Sequence, residues 1–402
     1  MADSTAPTVY YLGNKAKSAE LIDHVCTSHF GTSGVVLDLF AGSGSISRQF
    51  AQSRRVIAND IQTYSHVLCT ALLMGEQHTG ERALEVVTTK RFRDTCDFLK
   101  TQFSRAITAE RNISPDSDPS EVQQMLREIE YISKEGNRYA IVSLFGGRYF
   151  SMEQACELQS MLEASRNLTG QTKFHFLAAL ISTASRITYT VGNQFAQPIK
   201  WINTDGSVRW STVKKFSNKR SANVIKTFID CLSIYSTNYL FSQDNTVSNM
   251  TDLEAISKFG SEVSFIYMDP PYGREHYSRY YHVLETIALG DFPKIDNKNT
   301  MIRNGRYQSL YSIRSLARKA FEALLSNASR QNIPIALSYA DDSNGDKVAN
   351  RVMNLASLIE ISRMYYNNVS VINIHDRKYS QFNSGELSSP KRDNSEVLIV
   401  AR

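Results

Sequence analysis

The sequence predicts an α/β protein in which one mostly parallel sheet, flanked by helices, is interrupted by a large helical insertion. Three observations carry this expectation. Val35–Phe40 is an apolar run that ends at a glycine-rich turn, as a strand buried on both faces does. Ile46–Ala51 has helical character and Arg55–Asp60 reads as the next strand, which completes a strand–loop–helix–strand unit of the kind a right-handed crossover requires. Past the insertion, strands return at Val263–Met268, Ile333–Tyr339 and Glu396–Val400, with a helix over Leu316–Leu325. Strands alternating with helices on both sides of an insertion imply a single sheet built from both ends of the chain.

The expected division is 1–75 and 241–402 for the two parts of the sheet domain and 76–240 for the insertion. Within the insertion, Ser114–Pro119 marks a loop and a helix starts near Ser120. Ser151 is a candidate N-cap for a helix running through Glu163. Phe174–Ile187 is a strongly apolar helix, whereas Gly192–Ser211 reads as loops or short strands.

Composition narrows the class. A chain of 402 residues can bury a large core in two or more compact units. Its net charge of +5 permits a polyanionic partner without demanding one. Five scattered cysteines, with no Cys-x-x-Cys pair, argue against a zinc site or a disulfide framework and fit a reducing cytoplasm. No apolar run reaches bilayer-spanning length, and Met1–Tyr10 lacks the pattern of a secretory signal, so no membrane association is expected.

Two constellations carry chemistry. The first is Asp38-Leu39-Phe40-Ala41-Gly42-Ser43-Gly44, followed by Asp60 at the end of the next strand. Glycines directly after a strand let backbone approach a ligand closely, and an acid at the following strand end can accept both hydroxyls of a ribose. The third glycine of a dinucleotide fingerprint is replaced by Ser47, and no Gly-Lys-Ser or Gly-Lys-Thr of a phosphate loop follows. The loop therefore suits a ligand with a ribose and no pyrophosphate, of which S-adenosyl-L-methionine is one.

The second is Asp269-Pro270-Pro271-Tyr272. Two prolines fix φ and remove two amide donors, which leaves the Pro270 carbonyl rigid beside the Asp269 carboxylate and the Tyr272 ring. This suits methylation of a base amino group. Its lone pair is delocalised into the ring, and acceptors on its hydrogens favour a tetrahedral nitrogen and stabilise the positive charge that develops. Tyr272 can stack on a base swung out of the duplex.

These residues resemble the Dam-like alpha group of DNA adenine-N6 methyltransferases of restriction-modification type. Tyr11-Leu12-Gly13-Asn14-Lys15, Gly147–Ser151, Arg274–Asp291, Gly305-Arg306-Tyr307, Ser312–Ser315 and Leu337-Ser338-Tyr339 extend the likeness over most of the chain. The resemblance implies a Rossmann-like, seven-stranded methyltransferase sheet with an antiparallel hairpin near the C-terminus and an inserted target-recognition domain. It implies that Tyr11, Gly13, Lys15, Asp38, Phe40, Ala41, Gly42, Gly44, Asp60 and Ile61 serve the cofactor, S-adenosyl-L-methionine. Asp269, Pro270, Pro271 and Tyr272 would hold the flipped adenine, and Asp244 is the candidate contact to the cofactor's adenine at the next strand end. A turn or capping Asp is the competing reading at that place.

Double-stranded DNA is the implied partner, with a cognate restriction endonuclease as a second and a monomer as the expected state. The cytoplasm, at the nucleoid, is the implied location. Lys200, Arg209, Lys214, Lys215, Lys219 and Arg220, interleaved with Trp201, Trp210 and Phe216, form a candidate phosphate-contacting surface. A solvated face is the bland alternative. Lys391 and Arg392 are further DNA candidates between two C-terminal strands, with a solvated hairpin tip as the alternative; Asn193, Gln194 and Gln197 are candidate base readers, with local turn formation as the competing reading, and Trp201 is at least as readily a core residue. His276 and His282, six residues apart with no further ligand, read as structural or DNA-facing rather than as a metal pair. Three rivals stay open: cytosine-N4 in DNA or adenine in RNA as the substrate, a non-catalytic binding protein of the same fold, and an oxidoreductase.

Overall fold

A computed structural model describes residues 8–11, 13, 15–76, 78–134, 138–190, 193–235, 244–297, 299–340, 351–374 and 396–402. It divides into two compact units. One comprises Gly13–Cys69, Phe241–Tyr277 and Tyr307–Arg402; the other comprises Met1–Leu12, Thr70–Leu240 and Ser278–Arg306.

The first unit is the sheet. Its strands are β1 (Val35–Asp38), β2 (Arg55–Asn59), β3 (Thr246–Ser248) and β4 (Phe265–Met268). A two-stranded antiparallel ribbon in the other unit supplies β5 (Ile295–Asn297) and β6 (Ile302–Arg303), after which β7 (Ile335–Ala340), β8 (Val369–Ile374) and β9 (Glu396–Ala401) complete the sheet. The seven strands lie in the order β3-β2-β1-β4-β7-β9-β8. β1 pairs in parallel with β2 and β4, and β4 with β7, whereas β9 runs antiparallel to both β7 and β8. The expected C-terminal hairpin is therefore present, but its reversed strand is the penultimate one, and the edge strand β8 is aligned with the parallel set.

Alternation along the strands divides the core. Leu37, Leu39, Ile266, Met268, Ile335 and Leu337 pack on one face with Phe321, Leu324 and Leu358 from the helices Ala317–Arg330 and Leu355–Tyr365. On the other face Phe265 stacks on Phe30 at 4.5 Å and meets Phe50 edge-on at 5.9 Å. Arg54, 2% exposed, lies between Phe50 and Phe265 and reaches Asp23 at 3.1 Å and the Gly31 carbonyl at 3.1 Å. A buried guanidinium survives there because paired charge and carbonyl acceptors replace its lost hydration.

The second unit is mostly helical. The helix Met152–Ser165 begins with a reciprocal cap: Ser151 Oγ accepts the Gln154 N–H and Gln154 Oε1 accepts the Ser151 N–H, both at 3.1 Å. Gly170–Ile187 buries most of its length and packs Phe176 on Phe228 of Val224–Tyr235 at 4.9 Å. Ser278–Arg306, assigned from sequence to the C-terminal sheet portion, packs in this unit. Its helix His282–Leu289 buries His282, Val283, Leu284 and Ile287, and the His282 ring meets Phe145 and Tyr149 at 5.7 and 5.6 Å. Among the described residues no helix is long and apolar enough to cross a membrane.

Candidate active site

The site residues cluster at the carboxyl ends of β1 and β4. These strands are neighbours in register, Asp38 opposite Tyr267, so the loops that follow them emerge side by side. After β1 the chain keeps one more bond to β4, from the Leu39 N–H to the Tyr267 carbonyl at 3.0 Å. It then turns back, with the Ala41 N–H on the Asn59 carbonyl at 2.9 Å and the Gly44 N–H on the Ala41 carbonyl at 2.8 Å. Gly42 and Gly44 adopt φ of 52° and 78°, a region costly for residues with a Cβ. Gly44 caps the helix Ser45–Phe50.

Asp60 closes this loop. Its Oδ2 accepts the Gly42 N–H and its Oδ1 the Gln62 N–H, each at 2.9 Å. The carboxylate thus holds the glycine turn against the end of β2, and Ile61 follows it half-buried. Phe40 is half-buried and edge-on to Tyr311 at 5.5 Å, while Ala41 is buried.

Asp38 is 1% exposed. Ser47 Oγ donates to its Oδ2 at 2.5 Å, and its buried Oδ1 has no hydrogen-bond partner among the described residues. Burial pushes the carboxyl up to about 7, against the Ser47 bond and with help from the negative charges of Asp269 and Asp60.

Asp269 follows β4 directly. Its Oδ1 lies 3.5 Å from Lys15 Nζ, an ion pair without a hydrogen bond, and Lys15 Nζ contacts Glu396 Oε1 more closely. Burial raises the Asp269 carboxyl to about 7, with Lys15 opposing and Glu396 adding to the rise. Burial alone would lower the Lys15 ammonium, but Asp269, Tyr272 and Glu396 outweigh it and hold the group well above its ordinary value. Lys15 Nζ is also 5.7 Å from the Tyr272 ring centre. Pro270 is buried and Pro271 half-buried. The Tyr272 ring stands edge-on to Tyr339 at 5.3 Å, and its carbonyl accepts the Val352 N–H at 3.1 Å.

Gly13 adopts φ 70° and belongs to the sheet unit, where a Cβ would stand 3.9 Å from the Tyr272 hydroxyl. Tyr11 belongs to the helical unit, stacked on Tyr281 at 4.9 Å. Asp244 requires a correction. It is exposed at the amino end of β3, where its carbonyl accepts Arg55 Nε at 2.8 Å, because β3 runs parallel to β2 with Thr246 opposite Ile57. The carboxyl end of β3 instead presents Asn249 and Met250, and Asn249 Nδ2 donates to the Asp60 carbonyl at 2.7 Å.

The basic run is divided in its roles. Lys200, Lys214 and Lys215 are exposed. Arg209 Nε donates to Asn203 Oδ1 at 3.0 Å, Arg220 Nη1 donates to the Glu110 carbonyl at 2.6 Å, and Lys219 is half-buried. Trp201 and Phe216 are core residues, 4.8 Å apart, and the Trp201 indole N–H donates to the Gly147 carbonyl at 3.0 Å. Asn193 takes φ 55° in a local turn. His282 is fully buried with Nε2 3.0 Å from the Phe195 carbonyl, and burial pushes its pKa down to about 3, which makes it a neutral structural residue. Lys391 and Arg392 lie outside the described residues.

Sequence reasoning did not single out Asn59, Glu396 or Ser338 as site residues. Asn59 Nδ2 donates to the Leu39 and Met250 carbonyls at 3.3 and 3.1 Å, tying the ends of three strands together. An amide at a strand end was the available signal, and it is weak. Glu396 opens an apolar strand, a place where an acid usually faces water, so only the fold reveals its partners.

A glycine turn after one strand and a proline-fixed acid after its neighbour define the amino-methyltransferase class of α/β proteins. The chain belongs to the D12 class N6 adenine-specific DNA methyltransferase family, whose family model matches residues 11–139 and 207–334. It is similar to modification methylase LlaI of Lactococcus lactis subsp. lactis, 25% identical over 97% of this chain and 54% of that protein. It is also similar to type II methyltransferase M.FokI of Planomicrobium okeanokoites, at 22% over 82% of this chain and 44% of the relative. Type II methyltransferase M.NlaIII of Neisseria lactamica is 24% identical, with 83% of each chain covered. The chain thus spans about half the length of the first two of these curated relatives.

Proposed function

We propose that this chain is a site-specific DNA adenine-N6 methyltransferase that uses S-adenosyl-L-methionine and acts on a flipped adenine in duplex DNA. The observation that carries the reading is the juxtaposition at adjacent strand ends of the Asp60-braced glycine turn and the Asp269-Pro270-Pro271-Tyr272 segment.

The residues present fit the cofactor. Asp38 offers a buried carboxylate oxygen with no hydrogen-bond partner among the described residues, which matches the ammonium of a methionine moiety. Gly42, Gly44, Phe40 and Ala41 let backbone approach closely, and Asp60 with Ile61 would meet the ribose. Tyr11, Gly13 and Lys15 belong to the same assignment. When bound, S-adenosyl-L-methionine supplies an activated methyl group on a sulfonium.

The chain's own work is to hold the acceptor. Asp269 and the Pro270 carbonyl accept hydrogen bonds from the adenine amino group, localising its lone pair and stabilising the charge that grows on nitrogen. Tyr272 supports the base by stacking, and its ring is fixed by Tyr339. Asp269 must be ionised to accept in this way, so activity should decline below its raised pKa of about 7. An amino-group mechanism needs no general base in the ground state, and none is assigned. Exposed Lys200, Lys214 and Lys215 contact phosphates, half-buried Arg209, Lys219 and Arg220 belong to the same set, and Lys391 and Arg392 complete it. Relatives named modification methylases support a restriction-modification setting with a partner nuclease, and a monomer acting in the cytoplasm is part of the same reading.

The test is methyl transfer from labelled S-adenosyl-L-methionine to unmethylated duplex DNA, followed by nucleoside analysis. Label in N6-methyladenine, reduced at least about 100-fold by Asp269→Ala with cofactor binding retained, is expected. Label in N4-methylcytosine, or transfer to RNA alone, would replace the substrate assignment.

A further inference from the structure

We infer that Glu396 is a positioning residue for the Asp269 site: it anchors the Lys15 ammonium beside Asp269 and keeps it paired when the substrate amino group takes over the Asp269 carboxylate. This inference rests on the proposed role of Asp269 as the acceptor for a base amino group.

Two carboxylates and one ammonium share a confined space. The side chains of Lys15, Asp269 and Glu396 are 8, 19 and 17% exposed. Lys15 Nζ is 3.5 Å from Asp269 Oδ1 and closer to Glu396 Oε1. Glu396 is itself fixed by the sheet. It is the first residue of β9, opposite Ala340 of β7 and Ile374 of β8, and its Oε1 accepts Ser338 Oγ at 2.5 Å. Its carboxylate therefore stays in place whatever occupies Asp269.

The arrangement resolves a conflict. A base amino group needs the acceptor oxygens of Asp269, and an ammonium paired only with Asp269 would compete for them. Withdrawing such an ammonium would leave a buried charge unpaired, which is strongly unfavourable. With Glu396 present, Lys15 loses one partner and keeps the nearer one, and the flexible lysine stem absorbs the displacement. Because Glu396 is the nearer partner and is held by Ser338, Asp269 is the carboxylate that gives up the cation. The other charged or titratable groups with influence here are Asp38, Tyr267 and Tyr272, with Arg351 acting on Tyr272.

The test is carbon-13 NMR titration of the Asp269 carboxyl in the full chain, assigned by its loss in Asp269→Asn, in wild type, Glu396→Gln and Glu396→Asp. Removing the second negative charge and leaving Lys15 to Asp269 should lower the Asp269 titration by about one pH unit or more in Glu396→Gln, while Glu396→Asp follows wild type. In methyl-transfer assays Glu396→Gln should raise KM for DNA about tenfold with a smaller change in kcat, because Lys15 then competes with the base. An Asp269 titration that is unchanged or higher in Glu396→Gln, or equal changes in the Gln and Asp variants, would overturn the inference. The titration needs no substrate. A wild type that does not methylate adenine thus defeats the proposed function, while the titration still decides the hold of Glu396 on Lys15.

Discussion

Replacing Asp38 by Asn should stabilise the ligand-free protein relative to wild type progressively as the pH rises. Asp38 is 1% exposed, and burial moves its carboxyl from an ordinary 3.8 to about 7. Between those values the folded protein retains a proton that the unfolded chain has released. The contribution of Asp38 is therefore present in full below about pH 4 and lost as the pH climbs through about 7. Between about pH 5 and 8 the linkage amounts to roughly 3 kcal/mol. The Asn variant keeps an acceptor for Ser47 Oγ, and its fixed packing cost cancels when the two pH values are compared. Urea unfolding of both proteins at the two pH values measures the difference. A wild-type-minus-variant stability that is the same at both would refute the claim that Asp38 is driven toward its neutral form.

Three further outcomes are expected. Gly34→Ala should destabilise the sheet unit by about 1–3 kcal/mol in thermal unfolding, since Gly34 has φ 107° and a Cβ there would meet Ser264 Oγ at 2.1 Å; adding Ser264→Gly should recover the steric part. Ser151→Ala should cost about 1 kcal/mol by removing the reciprocal cap of Met152–Ser165, and Ser151→Thr should cost less. Asp60→Ala should weaken binding of a cofactor analogue at least about tenfold in calorimetry, because the Gly42 and Gln62 N–H groups lose their acceptor; unchanged affinity would remove Asp60 from the site.

Local signals in the sequence were enough for the elements that build the site. A short apolar run before glycines marked β1, and the Ser151 cap marked its helix, because both depend on residues adjacent in the chain. The position of Asp244 was misjudged for a complementary reason. Which end of β3 faces the glycine turn depends on pairing with β2, and no neighbour of Asp244 encodes that register. The basic run stayed open between a phosphate-contacting surface and a solvated face for the same reason: spacing could not show that Arg220 reaches the Glu110 carbonyl, nor decide that Trp201 is core. Glu396 and Lys15 are far apart in the chain, so their contact is a property of the assembled sheet unit alone. The inclusion of Ser278–Arg306 in the helical unit likewise follows from His282 being buried against Tyr149 and Phe145, residues of the insertion.

The most direct test of the central claim is methylome sequencing of DNA from a methylation-deficient host that expresses the wild type or Asp269→Ala. N6-methyladenine at one fixed sequence motif is expected in the wild-type strain and none in the variant strain. Soluble wild-type protein that binds S-adenosyl-L-methionine yet leaves every adenine unmodified would contradict that claim.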